Sequence, residues 1–256
     1  MTSMLQHNVW LAFMLGWQDL KQSYRRSPIG PFWLTLNSGI LIATMGVVFG
    51  VLFDMELRDY LPYLAIGLVT WNFLSTALNE ACNVFVLSEG LIKQINLPVY
   101  VYILRLMWKN FTIYLHNIVL IPIVVLLTGR PLTWTALLFF VGLALVLVNL
   151  GWVVLALGIV ATRYRDFSQI TFAFLNITFY LTPIVWDRKT LDHVEWAQWL
   201  VTLNPLASLI EIVRAPILGT VPSLMTWQIV IGLAIGGWAF ALVLFRRYRY
   251  RIAYWV

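Results

Sequence analysis

Apolar runs of about twenty residues recur along the whole chain, and a run of that length is what an α-helix needs to cross the ~30 Å hydrocarbon layer of a bilayer. They fall at 32–53, 60–86, 100–127, 134–162, 170–185 and 225–245. Within lipid each backbone amide must find its partner inside its own segment, so the runs are predicted as helices. Composition agrees: 61% of the 256 residues are hydrophobic and only 11% are charged, against roughly a quarter in soluble domains. The expected fold class is an all-α polytopic membrane protein, a single domain over 1–256 with six transmembrane helices.

The few charges give the expected direction. Lys21, Arg25, Arg26, Lys93, Arg105, Lys109, Arg163, Arg165, Arg246, Arg247, Arg249 and Arg251 fall on the N-terminal segment, the links after spans two and four, and the C-terminal tail. Only Arg58, Arg130, Arg188, Lys189 and Arg214 fall on the opposite side. The positive-inside rule then puts both termini in the cytoplasm. These clusters beside apolar runs account for the net charge of +6 without nucleic acid as a partner.

Before the first run, Trp10, Phe13, Met14, Trp17, Leu20 and Tyr24 recur at steps of three or four, with Gln18, Asp19, Lys21, Gln22 and Arg25 on the other face. Residues 1–27 are therefore expected to form an amphipathic interfacial helix lying along the membrane. It serves either as an anchor or as a mechanical part. Pro28 and Pro31 bar its simple continuation, and Gly30 permits a sharp turn into span one.

Inside the runs, polar residues are few enough to be informative. Asn72, Thr76, Asn79, Glu80 and Asn83 gather on one side of span two, which implies either hydrogen bonding between helices or a wet conduit. Span five collects Phe172, Asn176, Phe179, Pro183 and Trp186 at near-helical steps, an aromatic and amide surface suited to sugars. Arg105 and Lys109 are expected to snorkel to headgroups. The link 187–223 is long and apolar and is expected to form two short external helices broken at Asn204-Pro205.

No catalytic constellation assembles. His7, His116 and His193 fall on different levels of this topology, the lone Cys82 offers neither a disulfide nor a metal site, and no phosphate-binding GxxxxGK[ST] loop is present. A non-enzymatic chain is expected, with any ATP-driven work powered by another subunit.

Five segments in order then carry a family resemblance: DLKQSYRRSPIGPFW, SEGLIKQINLPVYVY, TRYRDFSQI, YLTPIVW and LNPLASLIEIVRAPILG. Together they resemble the membrane subunit of ABC-2 type polysaccharide exporters, which move lipid-linked O antigen, capsule or teichoic acid. The resemblance implies a homodimer in the bacterial inner membrane, each copy docked on a separate cytoplasmic ATPase subunit that binds ATP and Mg, with no cofactor in this chain. It makes 88–97 a cytoplasmic coupling helix, with Glu89, Gly90, Leu91, Ile92 and Lys93 at the ATPase beside Arg163, Arg165 and Asp166. It makes Asp19, Tyr24, Arg25, Arg26, Pro28, Gly30 and Pro31 the interfacial helix and its hinge. The external helices at Asn204 and Pro205 become re-entrant and gate the exit. The expected conduit runs between two copies of spans one, two and five, lined by Asn72, Thr76, Asn79, Glu80, Asn83, Phe172, Asn176, Phe179 and Trp186. The alternatives are an exporter of capsule, teichoic acid or small amphiphiles, and a membrane-bound glycan-modifying enzyme.

Overall fold

A computed structural model describes residues 2–25, 30, 32–95, 97–188 and 194–256, and among these the chain is helical with no strand. Five segments are long and apolar enough to cross a membrane: α2 (Phe32–Leu52), α3 (Leu57–Ala81), the pair α5 (Val99–Ile118) and α6 (Leu120–Thr128), α7 (Leu138–Arg163) with the short 3-10 turn before it, and α11 (Leu224–Tyr248). In the place of the expected span five stands a shorter apolar helix, α8 (Phe167–Leu181). The remaining helices are α1 (Thr2–Tyr24), α4 (Glu89–Gln94), α9 (Glu195–Leu203), α10 (Pro205–Ile217) and α12 (Ile252–Trp255).

Prolines explain where the helices depart from the expected runs. Pro122 has no N–H to offer the carbonyl four residues back and its ring crowds that position, so the third run breaks at Val119. Thr182 precedes Pro183, a position that disfavours helical backbone, and it is extended at φ −94° and ψ 132°. Span five therefore ends at Leu181, and Pro183 and Trp186 lie in the irregular stretch beyond it rather than on a helical face. Asn83 is likewise off the expected stripe, because α3 ends at Ala81 and Asn83 sits in the following turn.

α3 is the central helix, buried along most of its length against α2, α5, α6, α7, α8 and α10. α8 runs antiparallel to it, since Cys82 meets Thr171 at one end and Trp71 meets Phe179 at the other. α7 and α11 pack through two reciprocal contacts: a Cβ on Gly237 would fall 2.1 Å from the Trp152 ring, and one on Gly151 would fall 2.9 Å from the Trp238 ring. Only glycine leaves room for each indole against the opposite helix. Asn149 fastens the same seam, donating to the Val230 carbonyl while accepting from the Trp152 indole.

α1 packs across α5 by a face that overlaps the expected apolar one only in part, at Leu20 and Phe13. Ala12, Gly16 and Leu20 are buried, and a Cβ on Gly16 would lie 2.7 Å from the Arg105 carbonyl. Trp10 and Trp17 stay largely exposed, while Phe13 reaches the Trp108 ring at 4.7 Å.

Candidate functional site

The polar side of α3 meets α5 and α2 in two hollows that share the Glu80–Lys109 pair in their walls. Along α5, Arg105 and Lys109 are four residues apart and so project from one face. Arg105 binds Asp19 of α1 with a fork, Nε and Nη2 each 2.6 Å from a carboxylate oxygen. Lys109 reaches Glu80 of α3 at 2.6 Å, and Asn110 donates to the other Glu80 oxygen at 2.7 Å. The two cations sequence reasoning sends to the headgroups thus spend their charge on carboxylates inside the protein, because desolvation penalises an unpaired ion more than a paired one. Their side chains are 20–30% exposed, which leaves both pairs in contact with a wet space.

That space is a cavity of about 300 Å³ lined by Asp19, Ser23, Glu80, Ser88, Tyr102, Arg105 and Lys109. Among the described residues, Arg105 Nη1 and the Tyr102 hydroxyl are buried there without a hydrogen-bond partner, so the wall holds polar capacity that the protein does not use. A second hollow of about 420 Å³ shares Ser23, Glu80 and Lys109 with the first and continues between α2, α3 and α5 past Asn37, Ser38, Asn72, Thr76 and Asn117. Amides and hydroxyls at these positions both donate and accept, the chemistry that matches hydroxyl-rich or hydrated ligands.

Of the expected lining, Asn72, Thr76 and Glu80 come together here. Asn79 is half-buried beside them and Asn83 is exposed in its turn. Phe172 and Asn176 point outward from α8, Phe179 meets the Trp71 ring at 5.5 Å with the planes tilted by 58°, and the Trp186 indole donates to the Tyr180 carbonyl. None of these four lines the cleft. Asn37 and Ser38 were absent from the expected lining, although two adjacent polar residues in an otherwise apolar run are a readable signal.

Near the N-terminal break, Gly30 has φ +61°, a left-handed backbone, and open space where a Cβ would project. A substitution there is strained without clashing. Arg25 is exposed, Arg26, Pro28 and Pro31 lie outside the described residues, and so does the side chain of Tyr24.

At the basic end of the molecule α4 is shorter than expected, six residues against the predicted 88–97. Glu89, Gly90 and Lys93 are exposed while Leu91 and Ile92 turn inward. The Lys93 ammonium, by hydrogen bond and charge, holds the Glu89 carboxyl below the usual range, and the Arg165 guanidinium adds to it. The corner holding Arg163, Arg165 and Asp166 therefore sits next to α4, and all three side chains are exposed.

At the opposite end Asn204 caps α10, its side-chain oxygen accepting from the Leu206 and Ala207 amides and its amide donating to Thr182, with Pro205 at the first helical position. Beneath this cap lies a cluster that sequence reasoning missed. Arg214, 3% exposed, donates to the Pro183 carbonyl at 2.6 Å and to Glu211 at 2.6 Å, and its guanidinium lies 3.9 Å from the Tyr63 ring centroid. Tyr63 donates to the Pro183 and Trp186 carbonyls, and Tyr60 to Val185. The readable signal was Glu-Ile-Val-Arg inside an apolar stretch: an acid and a base three apart where ions are costly.

Comparison with known proteins agrees with this architecture. The chain is 22% identical over 205 residues to the O-antigen export system permease protein RfbA of Myxococcus xanthus, covering 80% of this chain and 79% of that protein. Two proteins of the same description from Klebsiella pneumoniae are 23% identical, one over 195 residues (75% of this chain, 74% of the relative) and one over 254 (92% and 91%). The model of the ABC-2 type transporter family matches residues 11–218, and with most of its length so covered the chain belongs to that family of membrane transport subunits.

Proposed function

We propose that this chain is the permease subunit of an ATP-driven exporter that carries lipid-linked polysaccharide, most closely O antigen, across the bacterial inner membrane. The observation that carries the reading is a polar cleft beside a charged cavity within an apolar helix bundle. Such a cleft is costly in lipid and serves a hydrated cargo. The descriptions of the relatives from Myxococcus xanthus and Klebsiella pneumoniae support O antigen as that cargo.

In this reading α8 completes six spans with both termini cytoplasmic, and two copies pair so that their α2, α3 and α8 faces enclose the path. The lipid end of the substrate is admitted near the charged cavity, at cytoplasmic leaflet depth, and the sugar chain follows the amide-lined cleft. α1 rests in the membrane surface through Trp10 and Trp17, while α9 and α10 form the exit gate. α4 transmits motion from a separate ATPase subunit, which holds the ATP and Mg.

The test is the purified complex of this chain with its ATPase in vesicles. ATP hydrolysis is expected to rise with lipid-linked glycan and to ignore small amphiphiles. A response to amphiphiles alone would replace the proposed cargo, and glycan modification without an ATPase would replace the transporter itself.

A further inference from the structure

α4 cannot owe its position to itself. It has six residues, no side-chain cap and no fully buried residue, and the hydroxyl of Ser88, at its N-cap, is turned back to the Val84 carbonyl. A helix of that length is unstable alone, so its orientation must come from what it leans on.

What it leans on includes the last residues of the chain. After α11 the backbone turns at Arg249 to Arg251 and forms α12, which touches both α4 and α7. Ile252 is 3% exposed and belongs to a buried cluster with Phe85, Ile103 and Ala156, against which Leu91 and Ile92 of α4 also pack. Trp255 closes the arrangement: its ring centroid is 5.5 Å from that of Tyr248 and 5.4 Å from the Arg163 guanidinium. Arg163 ends α7 at the corner that neighbours α4. One short segment thus joins the last long helix, the α7–α8 corner and the coupling element.

We propose that residues 252–256 are a positioning clasp for α4, so that the ATPase docks on a composite surface of α4, the Arg163–Asp166 corner and α12. This rests on the reading of α4 as the coupling helix. Ile252 supplies the buried anchor. Trp255 supplies the lateral grip, with the Arg163 cation over its ring and the Tyr248 ring beside it at a 45° tilt. Through that grip a push on α4 is delivered to α7 and α11 as well as to α3, which leads directly into the α4 segment.

The experiment uses the permease coexpressed with its ATPase, comparing Trp255→Ala, Trp255→Phe and a chain ending at Arg251. Trp255→Ala is expected to lower copurified ATPase roughly five-fold at unchanged permease level in the membrane, the size of one lost aromatic and cation contact. ATP hydrolysed per glycan exported is expected to rise with it. Trp255→Phe keeps a ring face and restores most of both, which a general loss of stability would not predict. Full ATPase recovery and normal coupling in both Trp255→Ala and the shortened chain would overturn the clasp. If the shortened chain fails to accumulate, the two Trp255 variants decide alone. Lys93→Glu and Arg165→Glu separate this proposal from the one beneath it: if they retain the ATPase, docking at α4 is itself wrong, and if they lose it while the tail variants do not, only the clasp falls.

Discussion

Charged side chains are gathered inside this protein at two places, and the two are built differently. At the far end the Arg214 side chain is 3% exposed and meets Glu211, the Pro183 carbonyl and the Tyr63 ring, while Glu211 itself is 40% exposed and the cluster borders a hollow of about 410 Å³. Toward the basic end Asp19–Arg105 and Glu80–Lys109 are 20–30% exposed and border a cavity of about 300 Å³. The first arrangement buries its cation almost completely and ties it to backbone, namely the irregular stretch after α8, while its acid faces outward. In the second the acid and the base of each pair are shielded to a similar degree, and both pairs border the cavity. A fully buried cation tied to backbone fastens, and an evenly half-buried pair has room to adjust.

The sharpest way to break this contrast is Glu211→Ala. It leaves the buried Arg214 with only the Pro183 carbonyl and the Tyr63 ring, an effect of about 2–3 kcal/mol because Glu211 is itself partly exposed, and the thermal midpoint of the purified protein should fall accordingly. An unchanged midpoint would mean that the far-end cluster fastens nothing. Asp19→Ala at the other cluster is expected to cost less, about 1–2 kcal/mol, because water reaches the stranded Arg105; the readout is faster proteolysis of α1. Equal losses for the two variants would erase the distinction. Tyr63→Phe keeps the ring under Arg214 but removes the hydroxyl that serves two carbonyls, for about 1 kcal/mol in the same melting measurement. Thr76→Val, at an exposed cleft position, should leave stability within about 0.5 kcal/mol while reducing surface glycan; normal glycan would remove that position from the proposed path.

Much of the frame was legible in the sequence because lipid leaves a helix few alternatives. The runs that became α2, α3, α7 and α11 needed only length and apolarity. Two of the misplaced ends trace to prolines whose local effect was readable but was outweighed by apolar continuity: Pro122 inside the third run and Pro183 after the fifth. The face of α1 was harder. Aromatic periodicity marks what lipid can touch, whereas the protein contact runs through Ala12 and Gly16, small residues that carry no hydropathy signal but permit close approach. Glu80 stood out as an ion within a span, yet its partners did not, since choosing Lys109 over headgroups needs the third dimension. Arg214 was hidden by being counted for topology, a role that says nothing about what the guanidinium holds.

The paired indole sockets between α7 and α11 bear on how such a subunit can move. Two indoles, each seated where a glycine of the opposite helix leaves room, fix the register of α7 against α11, since a shift along the seam carries each ring away from the gap that admits it. Helices keyed in register in this way move as one body, so a displacement handed to α7 reaches α11 as well.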